Sequence, residues 1–170
     1  EMCIRDREEE YHAVVVQLDE VAKALQRKGT PCWKAIVEAF GREILDENEE
    51  LDRKKLAQIV FQSSEKLEQL NGIVHPAVKQ QVLLDIEEKR KAKTELYVLE
   101  AALLLEAGYA KICEETWFIY TEEPVRRERL KASRGYSDER ITDMIRSQSP
   151  EAYFRKNCTR VIDNLSLIHI

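Results

Sequence analysis

The run Ala13-Val14-Val15-Val16 is continuous, apolar and mostly β-branched, and beyond it Asp19 leads into a stretch where Val21, Ala22 and Leu25 share one helical face. That is a strand feeding a helix. Gly29-Thr30-Pro31 interrupts it, and Cys32 to Phe40 takes helical spacing, with Trp33, Ile36, Val37 and Phe40 expected inward and Gly41 as the stop. Asp52 is placed to cap a helix carrying Leu56, Ile59 and Val60, and Ser64 to cap another carrying Leu67 and Leu70. His75-Pro76 is expected to start a longer helix, with Val78, Val82, Leu83 and Ile86 as its apolar face and Glu87 to Lys93 as a solvated end. The period then changes. Leu96 to Ala101 is apolar apart from Glu100, Thr116 to Tyr120 holds Trp117, Phe118 and Ile119, and both read as buried parallel strands. Pro124 marks a helix start followed by Val125 to Ala132, Ser137 caps a further helix through Ile141, Met144 and Ile145, and Arg160 to Asp163 is the last strand.

Strands alternating with helices predict an α/β class with a mainly parallel sheet, the helices of residues 31–93 forming a block between two strands. At 170 residues and 44% hydrophobic, the chain is expected to form one compact domain with a real core. No apolar run approaches the roughly 20 residues that span a bilayer, and no leader pattern opens the chain, so a cytoplasmic protein that engages no membrane is expected. Cys3, Cys32, Cys113 and Cys158 are scattered without a Cys-x-x-Cys or a nearby His, a pattern that suggests neither a zinc site nor a disulfide framework and fits reduced thiols. The net charge of −5 and pI near 5.4 argue against nucleic acid as a partner.

Against that acidic background, Arg126 to Arg160 carries ten basic residues and five acidic ones, eight of the ten being arginine. A solvated helix face is the ordinary reading of such a run. The preference for arginine, whose planar fork matches phosphate oxygens, points instead to a small phosphate ligand. In open parallel sheets ligands lie beyond the carboxyl ends of the strands, where Asp19, Glu100 and Asn164 are expected. Four candidates have a plainer reading. Asp19 is equally placed as a helix N-cap, Glu100 as a partly exposed strand residue, Glu106 as a carboxylate at a helix start, and His75 as a turn-fixing hydrogen bonder.

Asp19-Glu20-Val21-Ala22, Gly29-Thr30-Pro31, Phe40-Gly41, Asp52 to Leu56, Ile73-Val74-His75-Pro76, Leu103 to Gly108, Arg129-Leu130, Gln148 and Val161 to Asn164 follow one another in a single order. In that order and spacing the chain resembles the dephospho-CoA kinase family from about Tyr11 to Ser166. The resemblance implies a P-loop kinase-like three-layer fold and ATP-dependent phosphorylation of the ribose 3′-hydroxyl of dephospho-CoA, the last step of coenzyme A biosynthesis. ATP, accompanied by Mg2+, and dephospho-CoA are the implied ligands. It also implies a single kinase domain over 11–170, with an acceptor-binding helical insertion at 31–93 and a lid at 124–150. By the same resemblance Asp19 is the catalytic carboxylate, and His75, Glu100 and Glu106 bind substrate. Arg129, Arg134 and Arg140 are the implied phosphate-binding residues of the lid, and Asn164 contacts the nucleotide.

The chain departs from the family pattern in several places. None of its five glycines belongs to a Gly-x-x-x-x-Gly-Lys-[Ser/Thr] loop, whose bare amides would cradle phosphates. The resemblance therefore implies a fragment lacking the family's first strand and Walker A motif, with residues 1–6 and 167–170 as non-native ends. The absent strand would be central in the sheet, so exposed ladder edges, poor stability and no significant turnover by these residues alone are expected. Gln17-Leu18-Asp19 keeps one of two usual carboxylates, Ser133-Arg134 puts an arginine one position late, and Leu103-Leu104-Leu105-Glu106 loses a proline and an aromatic. Two other readings compete: a non-catalytic interaction remnant, and another small-molecule P-loop kinase. The Ile73-Val74-His75-Pro76 insertion favours the CoA enzyme over the latter.

Overall fold

A computed structural model describes residues 13–164, so the expected non-native ends lie outside the described residues. The chain divides into two compact units, Glu1–Leu103 and Leu104–Ile170.

In the first unit β1 (Val14–Gln17) runs directly into α1 (Leu18–Leu25). Thr30 then caps α2 (Pro31–Phe40) by accepting from the amide of Trp33 at 3.1 Å. Gly41, at φ +84°, ends that helix in backbone space closed to most side chains. A 3-10 turn at Arg42–Ile44 follows, and Asp52 caps α3 (Arg53–Phe61) by accepting from the amides of Lys54 and Lys55. The long α4 (Ser64–Lys91) packs against α1, α2 and α3, and its Val74, Val78 and Val82 join Ile36, Phe40, Ile44, Leu56 and Val60 in the core. β2 (Tyr97–Glu100) lies parallel to β1, Gln17 facing Glu100.

Three expectations fail in α4. Its cap is Ser63, one residue before the one expected, and His75-Pro76 starts no helix. Proline removes the amide that would bond the carbonyl of Gly72 and sets its ring against that carbonyl, so a break is the local preference. Burial of a stripe that begins at Val74 and continues to Val82 overrides it, and the helix runs through. Leu83, expected inward, is 40% exposed beside that stripe.

In the second unit a 3-10 turn at Tyr109–Ile112 precedes β3 (Trp117–Tyr120), which pairs in parallel with β4 (Arg160–Asp163). Between them lie α5 (Glu123–Arg134), α6 (Asp138–Arg146), capped by Ser137 as expected, and α7 (Glu151–Asn157), which no pattern announced. Thr116 and Thr159 lock the start of the pair through reciprocal backbone and hydroxyl bonds of 2.7 to 3.1 Å.

The strands are parallel as expected but not buried. Phe118 stacks on Phe154 of α7 with ring centres 5.0 Å apart, whereas Trp117 and Ile119, alternating to the other face, are 38% and 47% exposed. Each sheet has two strands, and among the described residues neither β2 nor β3 has a second strand neighbour. Burial on both faces requires layers that these pairs do not have within their units.

Candidate active site

In the first unit, parallel pairing of β1 with β2 puts both carboxyl ends on one side of the ribbon. Glu100 is the last residue of β2, and Asp19 lies two positions beyond β1, in the first turn of α1. The N-cap position belongs to Gln17, whose side chain makes no capping bond, so Asp19 is not the cap. Its exposed carboxylate stands at the positive end of the helix dipole, the end that favours negative charge. One turn on, Lys23 pairs with Glu20. His75 lies exposed in the middle of α4, not in a turn, so its turn-fixing role is overturned. Behind Glu100, the Tyr97 hydroxyl donates to Asp85 Oδ2 at 2.6 Å, and burial first, then that carboxylate, pushes the phenol well above its ordinary range.

In the second unit the carboxyl ends of β3 and β4 meet at Asn164, whose amide donates to the Tyr120 carbonyl at 2.8 Å. The Asn164 carbonyl accepts from Thr121 Oγ1 at 3.3 Å and from Arg129 Nη2 at 3.0 Å. Arg126, one turn before Arg129 on α5, donates from Nη1 to Gln148 Oε1 at 3.4 Å. Its buried Nε has no partner among the described residues, and an unpaired buried N–H is costly in the absence of a ligand.

The remaining lid candidates are placed differently. Arg134 ends α5 exposed, and Arg140 lies over the Tyr136 ring at 4.0 Å, neither bonded to the Arg129–Asn164 pair. Glu106 is in a turn, not at a helix start, and accepts from Ser149 Oγ at 2.7 Å. The structure thus joins two predicted residues, Arg129 and Asn164. It adds Arg126, not among the expected site residues although its spacing from Arg129 puts both on one face of α5.

Among the described residues no three His, Cys, Asp or Glu side chains converge to hold a metal. No helix among them is long and apolar enough to cross a membrane. The first unit thus offers an exposed carboxylate beyond a strand terminus, a group that can accept a hydroxyl proton, and the second, taken by itself, offers two guanidinium groups one helical turn apart, a pair that suits an anion.

A family model described as dephospho-CoA kinase matches residues 3–169. The dephospho-CoA kinases of Geobacillus kaustophilus and Enterococcus faecalis are each 37% identical to this chain over 150 residues, covering 88% of it and 75% of theirs. That of Carboxydothermus hydrogenoformans is 34% identical over 150 residues, covering 88% and 73%. Among solved structures the chain is similar to TT1252 from Thermus thermophilus, with a TM-score of 0.75 at 28% identity, covering 98% of this chain and 83% of that one. The dephospho-CoA kinase from Campylobacter jejuni gives a TM-score of 0.68 at 21% identity, covering 95% and 80%, a likeness of fold.

Proposed function

The chain belongs to the dephospho-CoA kinase family, and from that membership we propose how its residues serve the family reaction, the ATP-dependent phosphorylation of dephospho-CoA that completes coenzyme A. Asp19 orients the ribose 3′-hydroxyl and accepts its proton as the 3′ oxygen bonds to the γ-phosphorus and the bond to ADP breaks. The observation that carries this is the position of Asp19, exposed in the first turn of α1 at the carboxyl end of a parallel pair. Phosphoryl transfer is mostly positioning and charge stabilisation, so one aimed carboxylate is a sufficient contribution from this side.

On the donor side Arg129 and Arg126 meet the ATP phosphates, while Arg134 and Arg140 join them from the lid helices. Asn164, its backbone fixed by Tyr120, Thr121 and Arg129, supports the adenine end. Glu100, Glu106 and His75 contact the acceptor. The residues described do not by themselves build a magnesium cage; Mg2+ characteristically binds through substrate phosphates and few carboxylates, and it would enter with ATP. A cytoplasmic setting is supported by the cysteines among the described residues, Cys32, Cys113 and Cys158, which are unpaired.

A coupled transfer assay with dephospho-CoA tests the assignment, on this chain and on a version with a grafted strand and phosphate-binding loop. In the grafted version Asp19→Asn lowers turnover by about 10²-fold or more, the usual contribution of a positioned base. Unchanged turnover in that variant removes Asp19 from the mechanism.

A further inference from the structure

A cleft of about 330 Å³ opens in the first unit, lined by Glu20, Lys23, Gln26 and Arg27 on one side and Glu50, Leu51 and Arg53 on the other. Three cations face two carboxylates there, yet the carboxylates are already engaged. Glu20 pairs with Lys23, and Glu50 accepts the Lys28 amide at 2.9 Å. Arg27 and Arg53 are exposed, and among the described residues neither guanidinium has a hydrogen bond or ion pair. Two unpaired arginines facing across one cleft form a fork for a bidentate anion.

The second wall is held before any ligand arrives. Asp46 Oδ1 accepts the amides of Asn48 and Glu50 at 2.9 Å, Trp33 Nε1 donates to the Glu49 carbonyl at 3.1 Å, and Lys28 pairs with Glu49 at 2.7 Å. Arg53 is the first residue of α3, whose end is pinned by the Asp52 cap. Loop ordering therefore takes little from the affinity of an incoming anion.

We propose that Arg27 and Arg53 bind the 5′-diphosphate of the acceptor in this cleft, an inference that rests on the kinase reading above. Asp19 and Lys23 share one face of α1, with Gln26 at its C-cap and Arg27 just past its end. Arg27 follows Asp19 by eight residues, about 12 Å of helical rise, a span shared between the diphosphate chain and the long arginine side chain. The 3′-hydroxyl and the 5′-diphosphate hang from the same ribose a few bonds apart. A hydroxyl held at Asp19 thus sends its diphosphate along this face into the cleft, with the pantetheine arm leading outward. The negative charge then falls on cations that the fold leaves unused.

Calorimetric titration of R27Q, R53Q and the double variant against dephospho-CoA, adenosine and ATP tests this. Both side chains are exposed and unbonded, so the variants retain the far-ultraviolet spectrum of the parent. Each substitution weakens dephospho-CoA about tenfold and the pair about a hundredfold, the low end for charge-assisted contacts, while adenosine and ATP are unaffected. The salt dependence of dephospho-CoA binding flattens in the double variant. Equal dephospho-CoA affinity in parent and double variant overturns the inference and leaves the kinase reading standing. Weakened ATP in place of dephospho-CoA assigns the cleft to the donor and also overturns it. A parent chain that binds ATP but not dephospho-CoA takes down the acceptor reading and this inference together.

Discussion

Replacing Pro76 by alanine is expected to stabilise the first unit. Proline inside a helix is unfavourable by about 3 kcal/mol, from the missing bond to the carbonyl four residues back and the clash of its ring with that carbonyl. Here the carbonyl belongs to Gly72, which is exposed like Pro76 itself, so water solvates it and the penalty lies below the full value. Alanine also returns about 0.4–1 kcal/mol of conformational freedom to the unfolded chain, which works against the variant. The difference is a gain of about 1–2 kcal/mol, or a rise in Tm of about 2–4 °C per kcal/mol for a chain of this size. Urea unfolding followed by far-ultraviolet circular dichroism measures it as a higher midpoint at constant slope. The companion Val78→Ala, which removes two methyl groups from a site 5% exposed, is expected to lose about 2–3 kcal/mol. A destabilised P76A, or a silent V78A, would refute the claim that burial of the Val74, Val78 and Val82 stripe carries α4 through the proline.

The other expectations are more local. Asp52→Ala strips the acceptor from two amides at the start of α3 and should lower stability by about 1 kcal/mol, read as a urea midpoint shift, whereas an unchanged midpoint would mean that water replaces the cap fully. Because the folded state holds the Tyr97 proton more tightly than the unfolded chain, the stability it contributes is whole below about pH 10 and is lost as pH rises above that value. Unfolding midpoints followed into alkali should therefore fall more steeply for the parent than for Tyr97→Phe, and parallel curves would contradict this. Arg126→Gln should weaken ATP about tenfold by calorimetry while Arg160→Gln leaves it intact, and equal effects would deny that α5 aims particular arginines at phosphate.

Features decided within one turn of chain were legible in the sequence. Asp52 and Ser137 cap the helices they announce, and Gly41 stops α2, because a short polar side chain or a positive φ acts on its nearest amides alone. Asp19, Glu100 and Asn164 stand at or just beyond the ends of apolar strands, as the sequence pattern placed them. The misses depend on what packs against the element. Pro76 signals a start locally and is overruled by a stripe buried against three other helices. Trp117 and Ile119 read as core in any pattern that counts apolar residues, and only the number of layers over β3 makes them exposed. α7 is seven residues long, too short for helical periodicity to declare itself, and no side chain caps it. Arg126 resembled its neighbours in sequence, and its buried Nε is visible only in three dimensions.

The arginine-dense segment divides into two kinds of residue on that basis. Arg127 bonds Glu123 and Thr142, Lys131 bonds Asp138, Arg155 bonds Glu151 beneath the Tyr120 ring, and Arg160 grips Glu115 through two bonds of 2.9 and 3.0 Å. The last of these holds the Glu115 carboxyl below its ordinary range, Arg160 first and the Trp117 indole after it. These cations staple α5 to α6 and fasten β4 to the start of β3. Solvent screens exposed pairs of this kind, so their value is in register more than in stability. Arg126 and Arg129 differ in sitting half-buried at the carboxyl end of β3 and β4, where one nitrogen of Arg126 has no partner among the described residues. A ligand phosphate at that end would complete Arg126, whereas at Arg160 it would have to displace Glu115. The partner each cation already holds therefore separates those engaged within the fold from Arg126, whose buried Nε has none among the described residues.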